Sequence, residues 1–235
     1  MDKNPPHLIP SIYLANYLND FEDLILQYNV QKRKIAKGEY LTRYGVINNT
    51  AYYVKEGILH LSLGHDNGKK SLNLFGPGTI FPVGVEIHEY LVEYEMMIQA
   101  FSDLEVYQMP YPVLKQMVTE HGDFAGELLR ENCDFIGYMF FDSINQTFEP
   151  CLARICDIIY LYLTKVHPSE PKIPISQAEL ASLAGASKAQ MERSIKLLRK
   201  EGILETSRKQ IMILDQEKLL KHCTLGLRGN VSDEK

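Results

Sequence analysis

A chain of 235 residues with 45% hydrophobic and 23% charged side chains has the balance of a folded soluble protein, which excludes wholesale disorder. No apolar run reaches the ~20 residues that cross a bilayer, the start lacks a secretory layout, and four cysteines are too few for a disulfide scaffold, so a cytoplasmic setting without membrane partners is expected. Charge is uneven: residues 1–150 hold 11 Lys and Arg against 20 Asp and Glu, residues 151–228 hold 13 against 8, and a basic C-terminal third points to a polyanionic partner.

Residues 1–12 read as a proline-marked arm. Residues 13–29 have helical spacing, with Leu14, Leu18, Phe21, Leu24 and Ile25 on one face. From residue 31 to 110 the texture becomes β-rich, with strands expected at 51–55, 58–63, 70–75 and 104–109. Asp66-Asn67-Gly68 is a hairpin signal, because Asn and Gly accept the positive φ of a tight turn. Short strands at this spacing predict a small barrel or roll.

A long helical stretch runs from about 111 to 148, broken near His121-Gly122. Leu128, Leu129, Asn132, Ile136, Met139, Phe140 and Ser143 fall near one stripe. A second copy of the chain would cover such a stripe, giving a parallel seam in which Leu128, Ile136 and Met139 pack and Asn132 sets the register; packing on its own β domain is the other option. Pro150 opens a further helix, since proline is tolerated in a first turn, and Leu152, Ile155, Ile159, Tyr160 and Leu163 form its core face. Residues 166–175 read as a connecting loop.

Residues 176–214 carry the most information. Ser176 and Glu179 form a capping box, and Ser187 and Gln190 form a second one. Two short helices, 177–184 and 188–200, are joined by a turn containing Gly185, which predicts a helix-turn-helix. Lys188, Ala189, Gln190, Arg193, Lys196, Arg199 and Lys200 lie off the buried stripe of Met191, Ile195 and Leu198. Such a helix fits a major groove, with Arg193 suited to guanine and Gln190 to adenine. Lys196, Arg199 and Lys200 suit phosphates. Segments 203–206 and 210–214 predict a hairpin whose turn carries Ser207, Arg208 and Lys209, a winged variant. A winged helix that binds protein instead is the alternative.

In this order of parts the chain resembles the Crp/Fnr family of bacterial transcription regulators, over roughly residues 14–218. The resemblance rests on Ser176-Gln177-Ala178-Glu179-Leu180-Ala181, on Arg193, on Leu198 to Leu204, and in the sensor on Lys55-Glu56-Gly57 and Phe75-Gly76-Pro77-Gly78. It implies an α+β fold: an N-terminal β-roll (a cupin-like jelly roll) over 1–110 that senses an effector, a dimerisation helix over 111–149, and a C-terminal winged helix-turn-helix over 150–235. It further implies a homodimer on double-stranded DNA of two-fold symmetry, with RNA polymerase as a partner. Lys188, Ala189 and Arg193 match the family's base-reading positions. Ala189 and Glu192 depart from the usual residues there, so the operator should differ from the family's common palindromes.

The resemblance also separates the branches. In the cyclic-nucleotide branch a Gly-Glu pair holds the ribose and an Arg-Ser/Thr pair the phosphate; Pro82-Val83 and Tyr94-Glu95 stand there instead, and Glu95 would repel a phosphate. Met139 and Phe140 stand where the adenine is touched. Iron–sulfur members need an N-terminal cysteine cluster, whereas the first cysteine here is Cys133, followed by Cys151, Cys156 and Cys223. Haem would need an axial ligand, for which His60, His65 and His88 qualify by residue type alone. The remaining expectation is no cofactor and an apolar or aromatic effector near Val83, Tyr94, Glu95, Tyr138, Met139 and Phe140, as in family sensors of halogenated phenols; plain core filling is the alternative. A DNA binder without a small ligand, constitutive or controlled by thiol oxidation, is a second reading. With no His-x-His pair, Ser/His/Asp arrangement or phosphate loop, neither catalytic nor metal-ligating residues are assigned, and an enzyme is not expected.

Overall fold

The computed structural model describes residues 11–42, 48–65, 68–83, 95–166, 171–207 and 210–224. Contacts divide the chain into a unit of residues 13–136 and a second of residues 137–235 with the first twelve.

The first unit is a β-roll of two four-stranded sheets. In one, β1 (Tyr13–Leu14), β5 (Gly68–Phe75), β4 (Leu59–His65) and β7 (Glu95–Ala100) lie in the order β1-β5-β4-β7. In the other, β2 (Gln31–Ile35), β8 (Leu104–Pro110), β3 (Thr50–Glu56) and β6 (Thr79–Phe81) lie in the order β2-β8-β3-β6. Pairing of β4 with β5 is antiparallel with His65 opposite Gly68, the register a two-residue hairpin sets; Asp66 and Asn67 themselves lie outside the described residues. Gly57 follows β3 at φ +86°, and a Cβ there would lie 2.1 Å from the Asp103 carbonyl oxygen, so this turn admits only glycine. The core joins Ala51, Tyr53, Ile80, Tyr107 and Met109 of the strands to Leu114, Met117, Phe124 and Leu128. The last four come from α2 (Tyr111–Glu120) and from α3 (Gly122–Phe148). Each such side chain contributes about 1.5–3 kcal/mol when fully buried.

The helix expected over residues 13–29 is corrected. The segment holds β1, a 3-10 turn (Asn19–Phe21) and the four-residue α1 (Glu22–Ile25). Asn16 sits at φ 68°, and the Asn16 and Leu18 N–H groups donate to the carbonyls of Pro77 and Gly78 at 2.8 Å. These long-range bonds satisfy the backbone that a helix would otherwise satisfy, and Leu18 and Ile25 still reach the core. Strands β2, β6 and β7 are additional to those expected.

In the second unit, α4 (Cys151–Lys165) begins after Pro150 at φ −59° and buries every residue from Ile155 to Leu163. Around it pack α5 (Gln177–Ala184), α6 (Lys188–Lys200) and α7 (Gln216–His222). A three-stranded sheet, β10 (Leu204–Ser207), β11 (Gln210–Ile213) and β9 (Lys172–Ile173) in the order β10-β11-β9, completes a winged helix-turn-helix. The stretch 166–175, expected as loop alone, supplies β9: Ile173 pairs with Ile211 and Lys172 with Met212.

Candidate nucleic-acid interface

The start of α6 is fixed twice over. Ser187 Oγ accepts from the Gln190 N–H at 3.3 Å, and Gln190 Oε1 accepts from the Ser187 N–H at 2.9 Å. The box at α5 is formed in the same way by Ser176 and Glu179. Both boxes satisfy orphan N–H groups of a first turn, a contribution of about 0.5–2 kcal/mol each. Between the helices Gly185 takes the left-handed conformation at φ 58°, which ends α5 without the Cβ penalty another residue would meet.

The inner face of α6 buries Met191, Ser194, Ile195 and Leu198. Lys188, Ala189, Glu192, Arg193, Lys196, Arg199 and Lys200 are exposed. None of the five cations on this face is ion-paired among the described residues. Lys196, Arg199 and Lys200 line an open groove of about 550 Å³ with Gln177, Glu192 and Ile195. An exposed, unpaired cationic face on a pre-capped helix suits the backbone of a polyanion.

Gln190 forms the cap expected of it: its amide oxygen accepts from the Ser187 N–H, and that oxygen keeps a second lone pair beside an Nε2 donor that is free among the described residues. Arg208 and Lys209, expected in the wing, lie outside the described residues.

The expected seam on α3 is revised at one position. Leu128 is 4% exposed and belongs to the core of its own β-roll, whereas its neighbour Leu129 is 64% exposed. Ile136, Phe140, Ile144 and Phe148 continue the exposed apolar stripe. Asn132 is half-buried and donates from Nδ2 to the Leu128 carbonyl at 2.8 Å, and Met139 is half-buried.

The residues expected around an effector differ in exposure. Val83 is exposed and Tyr138 fully buried, and Phe140 points to solvent, because three consecutive residues of a helix cannot share one side. Tyr94 and the Glu95 side chain lie outside the described residues. Inside the roll, Phe75 stacks on Phe81 at 4.3 Å and both meet Phe135. One turn before Phe135 on α3, Glu131 is buried, and both of its oxygens accept from the Ile80 N–H at 3.2–3.3 Å. Burial pushes this carboxyl well above the usual carboxylate range, against the pull of that N–H. Sequence reading missed Glu131, since neighbours such as Glu127, Arg130 and Asp134 make the segment look solvated.

The histidine and cysteine candidates divide by burial. His60 is buried edge-on to Phe101, and burial pushes its imidazole down to about 4. His88 and the His65 side chain lie outside the described residues. Cys133 is exposed, Cys151 intermediate, and Cys156 and Cys223 buried; burial pushes the Cys156 thiol up, away from thiolate chemistry. Among the described residues no cluster of His, Cys, Asp or Glu is arranged to hold a metal ion, and no helix is long and apolar enough to cross a membrane.

Two family models match the chain. Residues 32–121 match a cyclic nucleotide-binding domain, and residues 153–222 match a Crp-like helix-turn-helix domain. No curated protein matches. Among solved structures, a transcriptional regulator assigned to the Crp/Fnr family from Eubacterium rectale aligns with a TM-score of 0.70 at 16% identity, over 87% of this chain and 94% of that one. The c-di-GMP responsive global regulator CLP of Xanthomonas campestris aligns at 0.69 and 20% identity, over 79% and 94%. A CooA mutant from Carboxydothermus hydrogenoformans aligns at 0.68 and 16% identity, over 88% and 99%. These likenesses establish the fold.

Proposed function

Because the chain belongs to the Crp/Fnr family of transcription regulators, with a cyclic nucleotide-binding domain ahead of a Crp-like helix-turn-helix domain, we propose that it acts as a homodimer gated by a small effector. The α6 helices of the two copies enter successive major-groove faces of a two-fold-symmetric site, about one DNA turn (~34 Å) apart. The effector biases the dimer toward the arrangement that fits both half-sites, and RNA polymerase is the further partner. The observation that carries this reading is the pre-capped α6 with five exposed cations that have no ion-pair partner among the described residues.

Roles follow from position. Arg193, exposed in the second turn of α6, reads a base edge, with Lys188 and Ala189 beside it. Lys196, Arg199 and Lys200 meet phosphates, as do Arg208 and Lys209 of the wing. Selection of duplexes from a random pool, followed by fluorescence anisotropy across salt concentrations, tests this. Arg193→Ala is expected to cost about 1–3 kcal/mol on the selected site and to relax sequence choice. Lys200→Ala is expected to weaken all duplexes alike and to reduce the salt slope by about one. Selectivity that survives Arg193→Ala removes α6 from base reading; failure to enrich any duplex removes the DNA reading altogether.

The effector proposed is apolar or aromatic. The wall of Phe75, Phe81 and Phe135 supports this, as does a glutamate at position 95, where a phosphate ligand would need a cation. The Xanthomonas regulator responds to c-di-GMP, so cyclic dinucleotides and cyclic AMP belong beside small aromatic acids in a thermal-shift screen. An upward shift with a cyclic nucleotide alone overturns the apolar reading.

A second reading, control through a thiol, is favoured by one observation: Cys133 is exposed on α3, between the turns that carry Leu129 and Ile136. Under that reading mild peroxide changes the DNA affinity of the parent protein and leaves Cys133→Ser unaffected. Equal responses remove it.

A further inference from the structure

The last two turns of α3 and the first turn of α4 carry side chains that reach the turn of the helix-turn-helix. Gln146 Nε2 donates to the Ala184 carbonyl at 3.2 Å and to Asp142 Oδ1 at 3.3 Å. Arg154 Nη1 donates to Gln146 Oε1 at 2.5 Å and to the Gln146 carbonyl at 3.3 Å, while Nη2 reaches the Gly185 carbonyl at 3.5 Å. Gln146 lies flush against the turn, for a Cβ on Gly185 would stand 2.6 Å from Gln146 Oε1. The carbonyls so held are those at the end of α5, where helix geometry leaves acceptors unpaired and the local field is negative. An amide and a guanidinium are the donors that such an end favours. Two residues beyond this turn, Ser187 begins α6.

We infer that Gln146 and Arg154 are positioning residues for operator recognition: they transmit the direction of the end of α3 to α6 and thereby set the separation of half-sites that the dimer accepts. The inference rests on the dimeric DNA-binding reading above. Neither residue lies on the exposed face of α6, so neither is expected to touch a base. Their effect is on geometry: with the bracket intact only one half-site spacing fits both recognition helices, and with it loosened the helix-turn-helix turns as a unit against the end of α3 and several spacings fit.

The test uses the full chain. A duplex selected by the parent protein is compared with versions in which one base pair is inserted or removed between the half-sites. Two variants are measured, Gln146→Leu, which removes the amide, and Arg154→Lys, which keeps the charge and loses the planar fork. Melting followed by circular dichroism confirms that each is folded at the assay temperature. The parent is expected to prefer its own spacing by tenfold or more, and each variant is expected to reduce that preference at least threefold while keeping its preference for the half-site sequence. If the parent binds no duplex, the DNA reading falls and this inference with it. If the parent discriminates spacings and both variants discriminate equally well, the positioning role is overturned while the DNA reading stands. A uniform loss of affinity at every spacing likewise overturns it, because that is what a purely structural bracket would give.

Discussion

Ile136→Glu combined with Phe140→Glu is expected to produce a monomer that binds its operator 10²- to 10⁴-fold more weakly. The two side chains are 48% and 67% exposed on one face of α3, with Leu129, Ile144 and Phe148 along the same stripe. An apolar stripe of this length is larger than the scattered exposed side chains of a monomer's surface, and in the proposed dimer a second copy of α3 would cover it with like residues. Glutamate is a good helix former, so the substitutions spare α3 itself, and neither side chain belongs to the core formed around Tyr53, Phe124 and Leu128. They set four carboxylates against one another in the seam, where repulsion and lost burial add. A monomer keeps one half-site contact and loses the second, which is intramolecular once the first is made; linkage of two sites raises affinity by about 10²–10⁴. Sedimentation and anisotropy measure the two consequences separately. A dimer that persists in the double variant removes this face as the seam.

The second large effect is one of pH. Asp157 on α4 is 1% exposed. Its Oδ2 accepts from Asn145 Nδ2 at 3.1 Å and its Oδ1 from the Thr224 N–H at 2.9 Å. Burial pushes its carboxyl up to about 6 from an ordinary value of 3.8, against the pull of the Thr224 and Cys223 donors. The folded form therefore holds its proton where the unfolded chain has released it. From pH 3.8 to about 6 the unfolded state ionises first, so stability falls as pH rises through this window, by about 3 kcal/mol at ~1.36 kcal/mol per pKa unit. The sign is opposite to that of ordinary acid unfolding. Asp157→Asn is expected to remove this slope, so that relative to the parent the variant loses ground at pH 4 and gains at pH 7. Urea unfolding of both proteins at a series of pH values reads the difference directly; parallel profiles would show that Asp157 ionises normally in the folded protein.

Legibility in the sequence followed the range of the interactions. The helix-turn-helix is written locally: each cap and its partner lie three residues apart, and Gly185 marks the turn. Both helices therefore stand out without any knowledge of the fold. The four expected strands are likewise rich in β-forming residues and bounded by turn residues. Strand β2 does not alternate: four of its five residues are exposed, and Lys32 and Arg33 reach Glu105 and Gln108 on β8, so nothing apolar marks it. The segment 13–29 has helical spacing, yet its backbone bonds go to Pro77 and Gly78, which no periodicity reveals. Leu128 and Leu129 are both apolar, and only the packed β-roll decides which faces inward. Glu131 and Asp157 were the hardest to see. Their partners lie 51 and 67 residues away, and a buried carboxylate looks in sequence like a solvated one.

The doubly capped start of α6 carries a thermodynamic consequence. An arm that coils in solution and winds into a helix only against its target gives up conformational entropy at the moment of association, and affinity falls accordingly. Here the backbone of the segment proposed to insert is already wound, so the encounter would be close to a docking of rigid shapes. Its heat-capacity change should reflect the area covered rather than a folding step, and its association rate should depend mainly on ionic strength.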